Sequence, residues 1–201
     1  MQPSTKMSQQ AAYLELFIGP MFSGKTSKLL EIYKQYTFCN FKVAVINHSA
    51  DTRYHNSLLS THDKIMIPCI QTSNLLSLWN YSDIDSEYNE IAEMHLTIRC
   101  ADVILINEGQ FFEDLDVCVL EMLKQNKKVY IAGLDGDFER KKFGTIVDMI
   151  PMCDKVTKLA SLCGICKDGT PAIFSKRLTN DKEQMLIGSD NYVPVCRKCY
   201  N

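Results

Sequence analysis

The sequence predicts an α/β fold: a mainly parallel sheet flanked by helices, followed by a small C-terminal β lobe stapled by a metal. Three observations carry this. Short apolar runs alternate with helical patterns up to about residue 154. A glycine-rich loop, Gly19-Pro20-Met21-Phe22-Ser23-Gly24-Lys25-Thr26, joins the first apolar run to the first helical one. Two C-x-x-C pairs, Cys163/Cys166 and Cys196/Cys199, bracket the end of the chain.

Taken in order, residues 1–12 are polar, lack the apolar centre of a signal peptide and read as a flexible tail. Residues 14–18 form a first strand, and 25–38, with Leu29, Leu30, Ile32 and Tyr33, a first helix. Strands at 43–47, 103–106 and 129–132 are short apolar runs of the kind buried on both faces of a sheet. A turn at 73–79 and helices at 87–99 and 114–125 lie between them. Strand and helix alternating in this way indicate a parallel sheet, whose ligands gather at the carboxyl ends of the strands. After residue 155 the pattern changes to β-like pieces at 155–162, 172–178 and 184–187. The expected division is therefore an α/β domain over 13–154 and a lobe over 155–201. That lobe is too small for a hydrophobic core of its own and needs a staple.

Composition narrows the class. A chain of 201 residues, 46% hydrophobic, suits one domain with a small appendage. A net charge of −2 gives no general attraction to nucleic acid or acidic membranes. No apolar run approaches ~18 residues, so no membrane span is expected. Of nine cysteines, Cys39, Cys69, Cys100, Cys118 and Cys153 are scattered in apolar or helical stretches and read as small packed thiols. An odd count without a secretion signal argues against a disulfide framework.

The glycine-rich loop fits G-x-x-x-x-G-K-[ST] between a strand and a helix, the pattern of a phosphate-binding loop. Gly19 and Gly24 permit backbone angles a side chain would forbid. The turned backbone aims N–H groups at phosphate oxygens, Lys25 adds a mobile positive charge, and the Thr26 hydroxyl suits magnesium. The competing reading, a chance glycine turn, does not account for the strand–loop–helix context. The cysteine pairs have a similar logic. A two-residue gap turns both thiolates toward one ion, and two such knuckles complete a tetrahedral site of the structural zinc type. The intervening residues 167–195 exceed the usual ribbon spacing of ~15–20, so part of them must loop out. A redox C-x-x-C would not need a second copy. The strand at 103–106 runs into Asn107-Glu108-Gly109-Gln110-Phe111-Phe112, where Glu108 is placed as a general base or magnesium partner rather than an ordinary loop glutamate.

These motifs, with Asp51-Thr52-Arg53-Tyr54 and Gly133-Leu134-Asp135-Gly136 followed by Phe138, resemble those of the zinc-containing thymidine kinases of the cellular and poxviral type, in the same order from about residue 14 to 200. The resemblance implies transfer of the γ-phosphoryl group of ATP, with magnesium, to the 5′-hydroxyl of thymidine, and of deoxyuridine as well. It implies that Glu108 takes the hydroxyl proton and that Lys25 and Arg53 hold phosphate charge. Gly19 to Thr26, Asp51, Arg53, Asn107 and Gln110 would face ATP, with Thr26 on the magnesium. It further implies a lasso-like lid over 182–192, anchored by zinc on Cys163, Cys166, Cys196 and Cys199. Gln184, Met185, Leu186, Ile187, Gly188 and Tyr192 would hold the nucleoside, largely through backbone groups. Phe111, Leu134 and Phe138 would pack on the base and Met21 near its 5-methyl group. The implied assembly is a homotetramer with neither nucleic-acid nor membrane partners. The implied compartment is the cytoplasm, the host's for a viral member, and an end two residues past Cys199 is expected of a compact viral or bacterial one.

One departure stands out: the family pattern has aspartate where this chain has Asn107. An amide still accepts a hydrogen bond from metal-bound water but brings no charge, so Thr26 and the ATP phosphates, helped by Asp51, are expected to hold magnesium. Two other readings compete. A phosphate-loop ATPase or GTPase is one, although the N-K-x-D motif of guanine recognition is absent. The other is a zinc-ribbon nucleic-acid binder using Arg197, Lys198 and Arg140-Lys141-Lys142, which the net charge disfavours.

Overall fold

The computed structural model describes residues 11–51, 58–60, 66–80, 90–184 and 188–201. The strands of the first part are β1 (Tyr13–Ile18), β2 (Val43–His48), β3 (Leu58–Ser60), β4 (Met66–Pro68), β5 (Ile70–Thr72), β6 (Val103–Asn107), β7 (Lys128–Gly133) and β8 (Lys155–Lys158). Six of them form one sheet in the order β5-β2-β6-β7-β1-β8, and every pairing is parallel. β3 and β4 pair antiparallel as a separate two-stranded unit. The helices are α1 (Lys25–Phe38), α2 (Leu75–Trp79), α3 (Glu90–Cys100) and α4 (Leu115–Lys124).

Side chains alternate across the strands and so build two cores. Phe17, Val45, Val103, Leu105 and Tyr130 pack with Leu29 and Leu30 of α1 on one face. Leu16, Ile46, Ile104, Ile106 and Ile131 pack with Leu75, Trp79, Ile98, Leu115, Val119 and Met122 of α2, α3 and α4 on the other. Each fully buried aliphatic side chain contributes about 1.5–3 kcal/mol. The central strands are therefore the rigid part of the molecule. Local signals set the helix ends: Asn74 caps α2 by accepting from Ser77 N at 2.6 Å. α3 carries Glu90 and Glu93 in its first turn and Arg99 in its last, matching the helix dipole. Among the described residues, no helix is long and apolar enough to cross a membrane.

The C-terminal part holds β9 (Ser161–Leu162), β10 (Pro171–Ala172), β11 (Phe174–Arg177), β12 (Tyr192–Val195) and α5 (Arg197–Tyr200). β9 pairs with β10, and β11 with β12, both antiparallel. Its own core is a handful of residues, with Ala172, Val195, Cys163 and Cys196 buried and Phe174, Val193 and Tyr200 packed around them.

Two element readings need correction. Residues 155–158, expected in the small lobe, form β8 and extend the main sheet, pairing Glu15–Ile18 of β1 with Lys155–Lys158. Residues 70–72, which the sequence left without an element, form the opposite edge strand β5. In both cases three or four residues borrow their conformation from a neighbouring strand, so no local periodicity marks them. The predicted helix at 87–99 corresponds to α3; its first residues, 87–89, lie outside the described set.

Candidate active site

The loop after β1 is built to hold an anion. Gly24 adopts the left-handed conformation (φ +81°) at the N-cap of α1, and no side chain caps that helix or places a carboxylate in its first turn. The first amides of a long helix are thus left to an outside acceptor. Gly19 (φ +149°) lies against β8: a Cβ there would meet the Leu159 carbonyl oxygen at 2.4 Å. Leu159 N in turn donates to Ile18 O at 2.8 Å, so the edge strand clamps the loop. Ser23 Oγ donates to Pro20 O at 2.8 Å and Lys25 Nζ to the same oxygen at 2.7 Å, folding the lysine back across its loop. Met21 N donates to Ser175 Oγ of β11 at 2.9 Å, which ties the loop to the C-terminal hairpin.

Across from the loop, register places the polar residues. Asn47 on β2 and Asn107 on β6 are cross-strand partners at the carboxyl ends of their strands, both buried. Thr26 Oγ1 donates to Asn107 Oδ1 at 3.4 Å, Asn107 Nδ2 to Asn47 Oδ1 at 2.9 Å, and Asn47 Nδ2 to Asp51 Oδ2 at 3.3 Å. The relay runs one way, from hydroxyl to carboxylate. The Thr26 oxygen retains lone pairs, and the relay ends on the Asp51 carboxylate.

Glu108 follows β6 in a left-handed conformation (φ 54°, ψ 41°). A non-glycine residue there costs on the order of 1–3 kcal/mol and is kept only where the surroundings enforce it. Here Gln110 does part of that: its Nε2 donates to Glu108 Oε2 at 2.7 Å, while its Oε1 accepts from Leu134 N at 2.9 Å. Gln110, expected to face ATP, is buried with both ends of its amide engaged inside the protein. It links the carboxylate to the loop after β7. Beside them, the Phe111 ring lies 5.5 Å from both His48 and Phe143, and His48 packs edge-on to Phe112 at 4.7 Å. Burial pulls the His48 imidazole below its usual range, against the opposing pull of Glu108, Asp114 and Asp51, so the ring favours its neutral form.

The hairpin β11–β12 carries residues 178–191 as its loop, closed by the register pair Arg177/Tyr192 and by Leu178 N donating to Asn191 O at 2.9 Å. The span expected as a lid, 182–192, runs from this connection to Tyr192 at the start of β12. Gln184 Nε2 donates to Asp137 Oδ2 at 2.7 Å, and Tyr200 Oη donates to Phe138 O at 2.5 Å. Arg177, stacked on Phe138 and beside the Tyr192 ring, donates to the Gln184 carbonyl at 3.1 Å, so Phe138, Gln184 and Tyr192 come together. Gly188 has φ +127° and lies beside Asn191. Arg53, Met185, Leu186 and Ile187 lie outside the described residues.

Just past β12, the four sulfurs of Cys163, Cys166, Cys196 and Cys199 lie within 4.8 Å of one another. Zinc–sulfur bonds of about 2.3 Å in a tetrahedron put sulfurs roughly 3.8 Å apart, and Cys166 and Cys196 are separated by 3.8 Å. The N–H groups of Cys166 and Cys196 pull the Cys163 thiol down to about 6, whereas hydrogen bonding with Cys199 and its other neighbours pushes Cys166 up to about 12. Four sulfurs gathered this closely make a donor set that fits zinc.

Reading residue by residue singles out none of Asn47, His48, Asp137, Ser175 and Arg177, although the strand-end loops expected to converge on one site, 47–54 and 133–138, contain the first three. Ser175 and Arg177 carry no local signal.

A glycine-rich loop after β1, a carboxylate at the end of the next strand but one and a hairpin beside four clustered cysteines sit on a mainly parallel sheet flanked by helices, the architecture of an α/β protein with a candidate site at the carboxyl edge of its sheet. Its sequence is more specific than that. Residues 12–200 match the thymidine kinase family model. The chain is 42% identical to the thymidine kinase of sheeppox virus over 94% of this chain and 96% of that one. It is 38% identical to thymidine kinase 1 of Dictyostelium discoideum, over 97% of this chain and 80% of its relative. Thymidine kinase a of Arabidopsis thaliana is 40% identical, over 93% and 74%. The chain belongs to the thymidine kinase family.

Proposed function

We propose that this chain transfers the γ-phosphoryl group of ATP to the 5′-hydroxyl of thymidine, giving dTMP and ADP in nucleotide salvage, with deoxyuridine as a second acceptor. The observation that carries the reading is convergence. The loop Gly19 to Thr26, the carboxylate of Glu108 and the hairpin bearing Tyr192 meet at one edge of one sheet, a donor half facing an acceptor half. Phosphoryl transfer asks for a positioned acceptor and neutralised oxygens more than for covalent help. Lys25 and the α1 amides hold phosphate oxygens, with Arg53 as the second cation. Glu108, oriented by Gln110, accepts the proton of the acceptor hydroxyl as the bond to phosphorus forms. Phe111, Leu134 and Phe138 enclose the base, with Met21 at its 5-position and the backbone of 184–188 at its polar edge. That arrangement excludes water from the transfer.

Magnesium, bound with ATP, neutralises phosphate charge. Thr26, helped by Asp51, would hold it, directly or through water, with Asn107 orienting Thr26 and Asn47 orienting Asp51. Structural zinc on Cys163, Cys166, Cys196 and Cys199 fastens the hairpin. The assembly proposed is a homotetramer acting in the cytoplasm, which light scattering and cell fractionation would test. The decisive assay incubates the protein with labelled ATP, magnesium and a nucleoside panel. Thymidine and deoxyuridine should be phosphorylated; ATP hydrolysis without either product would overturn the reading.

A further inference from the structure

The side chain of Arg177 is 8% exposed, and no carboxylate among the described residues pairs with it. A buried guanidinium without partners is strongly unfavourable, so whatever surrounds it is held in place by that demand. What surrounds it is the hairpin loop. Nη1 donates to the carbonyls of Asp181, at 3.1 Å, and Glu183; Nη2 donates to the carbonyl of Gln184, at 3.1 Å, and meets the hydroxyl of Tyr192. The guanidinium carbon lies 3.8 Å from the centre of the Phe138 ring and 5.1 Å from that of Tyr192. One side chain thus gathers the limb 181–184, the strand that returns from the loop, and an aromatic ring of the loop after β7.

We propose that Arg177 is a positioning residue of the nucleoside subsite: it sets Phe138, Tyr192 and the 181–184 limb in register with one another without touching phosphate or the reacting atoms. This rests on the nucleoside kinase reading above. The guanidinium covers one face of Phe138 and so fixes the plane of that ring. The planar fork matters as much as the charge. Lysine offers one point donor at the end of a flexible stem, and cannot span carbonyls on one side and a hydroxyl on the other while stacking on a ring.

The test uses the full-length zinc-loaded protein and two variants, Arg177→Gln and the milder Arg177→Lys. Hydrogen–deuterium exchange without ligand should rise at least about tenfold for peptides covering 178–184 in Arg177→Gln and about threefold or more in Arg177→Lys, with β1 and α1 peptides and zinc content unchanged. In steady-state kinetics the KM for thymidine should rise about tenfold or more in Arg177→Gln, the KM for ATP should stay within about twofold, and kcat should fall less than thymidine KM rises. Lysine should recover only a minor part. If Arg177→Gln fails to fold, the lysine variant carries the test alone. A folded Arg177→Lys protein matching the parent in both loop exchange and thymidine KM overturns the proposal, as does a loss that falls equally on ATP and thymidine. If the parent phosphorylates no nucleoside, the kinase reading fails instead, and the exchange experiment still decides whether Arg177 orders the limb.

Discussion

The carboxyl edge of the sheet and the C-terminal hairpin contribute to one site, but they are held by different physics. At the sheet edge, Asn47, Asn107 and the residues flanking Gly19 sit on strands whose apolar neighbours are wholly buried, and cross-strand register sets their spacing. Side-chain chemistry there is placed by hydrophobic packing. In the hairpin the strands are two to four residues long and the buried cluster is centred on cysteines. Placement comes from thiols around a cation site and from one buried guanidinium. The lesson is a division of labour: many buried apolar contacts order the sheet edge, whereas the hairpin depends on a few polar and sulfur contacts.

The first way to break this comparison is at Glu108. Glu108→Gln keeps size and the hydrogen bond with Gln110 but removes the proton acceptor. Turnover should fall about 10²–10⁴-fold, while an ATP analogue binds as before and the melting temperature hardly moves. Turnover within about threefold of the parent would show that the rigid half positions the acceptor without a general base.

Next is the staple. Cys199→Ser, or removal of metal by a strong chelator, should unravel the hairpin, because metal-site free energy is folding free energy for a lobe this small. Thymidine KM should rise more than about tenfold. Meanwhile the far-ultraviolet signal of the sheet and the affinity for ATP analogues should persist. Equal loss of ATP affinity would mean that the two halves are one cooperative unit, with the Met21–Ser175 contact transmitting the damage.

A smaller effect is expected where the sequence departs from the family pattern. Asn107→Asp puts charge next to Thr26 but places an acceptor against Asn47 Oδ1, where Nδ2 now donates at 2.9 Å. Asn47 must turn its amide, which releases Asp51 from the relay. The gain and the loss are each of hydrogen-bond size, so the magnesium concentration for half-maximal rate should shift by about threefold to tenfold with kcat changing less. An unchanged magnesium dependence would show that position 107 is immaterial to the metal.

How much of this was legible beforehand follows from the same division. The phosphate loop and the cysteine knuckles were readable because each is a local geometry in which spacing alone brings the ligating groups together. The central strands were readable from their apolar runs. β8 and β5 were not, because an edge strand of three or four residues is created by its neighbour. Gln110 is expected to face ATP only through the family resemblance, and only the fold shows its amide bridging to Leu134. Arg177 is not singled out by the sequence at all. Its burial depends on a ring that arrives from the loop after β7, and no window of sequence contains both.

The smallest expected effect concerns pH and the rigid half alone. Burial between Phe111, Phe112 and the strand ends lowers the His48 pKa below its unfolded value of 6.5. The folded protein therefore binds fewer protons here than the unfolded chain as pH falls through that value. This contribution to stability is present above the unfolded pKa and is lost as pH drops toward the folded one. Glu108, Asp114 and Asp51 oppose the shift, so the slope is shallow. His48→Gln keeps an acceptor for Ala50 N, which now donates to Nδ1 at 3.0 Å, and removes the titration. Its melting temperature should decline less than the parent's between neutral pH and mild acid, and the hairpin's exchange rates should not respond. A parallel decline in both proteins would place the acid sensitivity in the carboxylates around the histidine, and would leave the rigid half of the site without an imidazole switch.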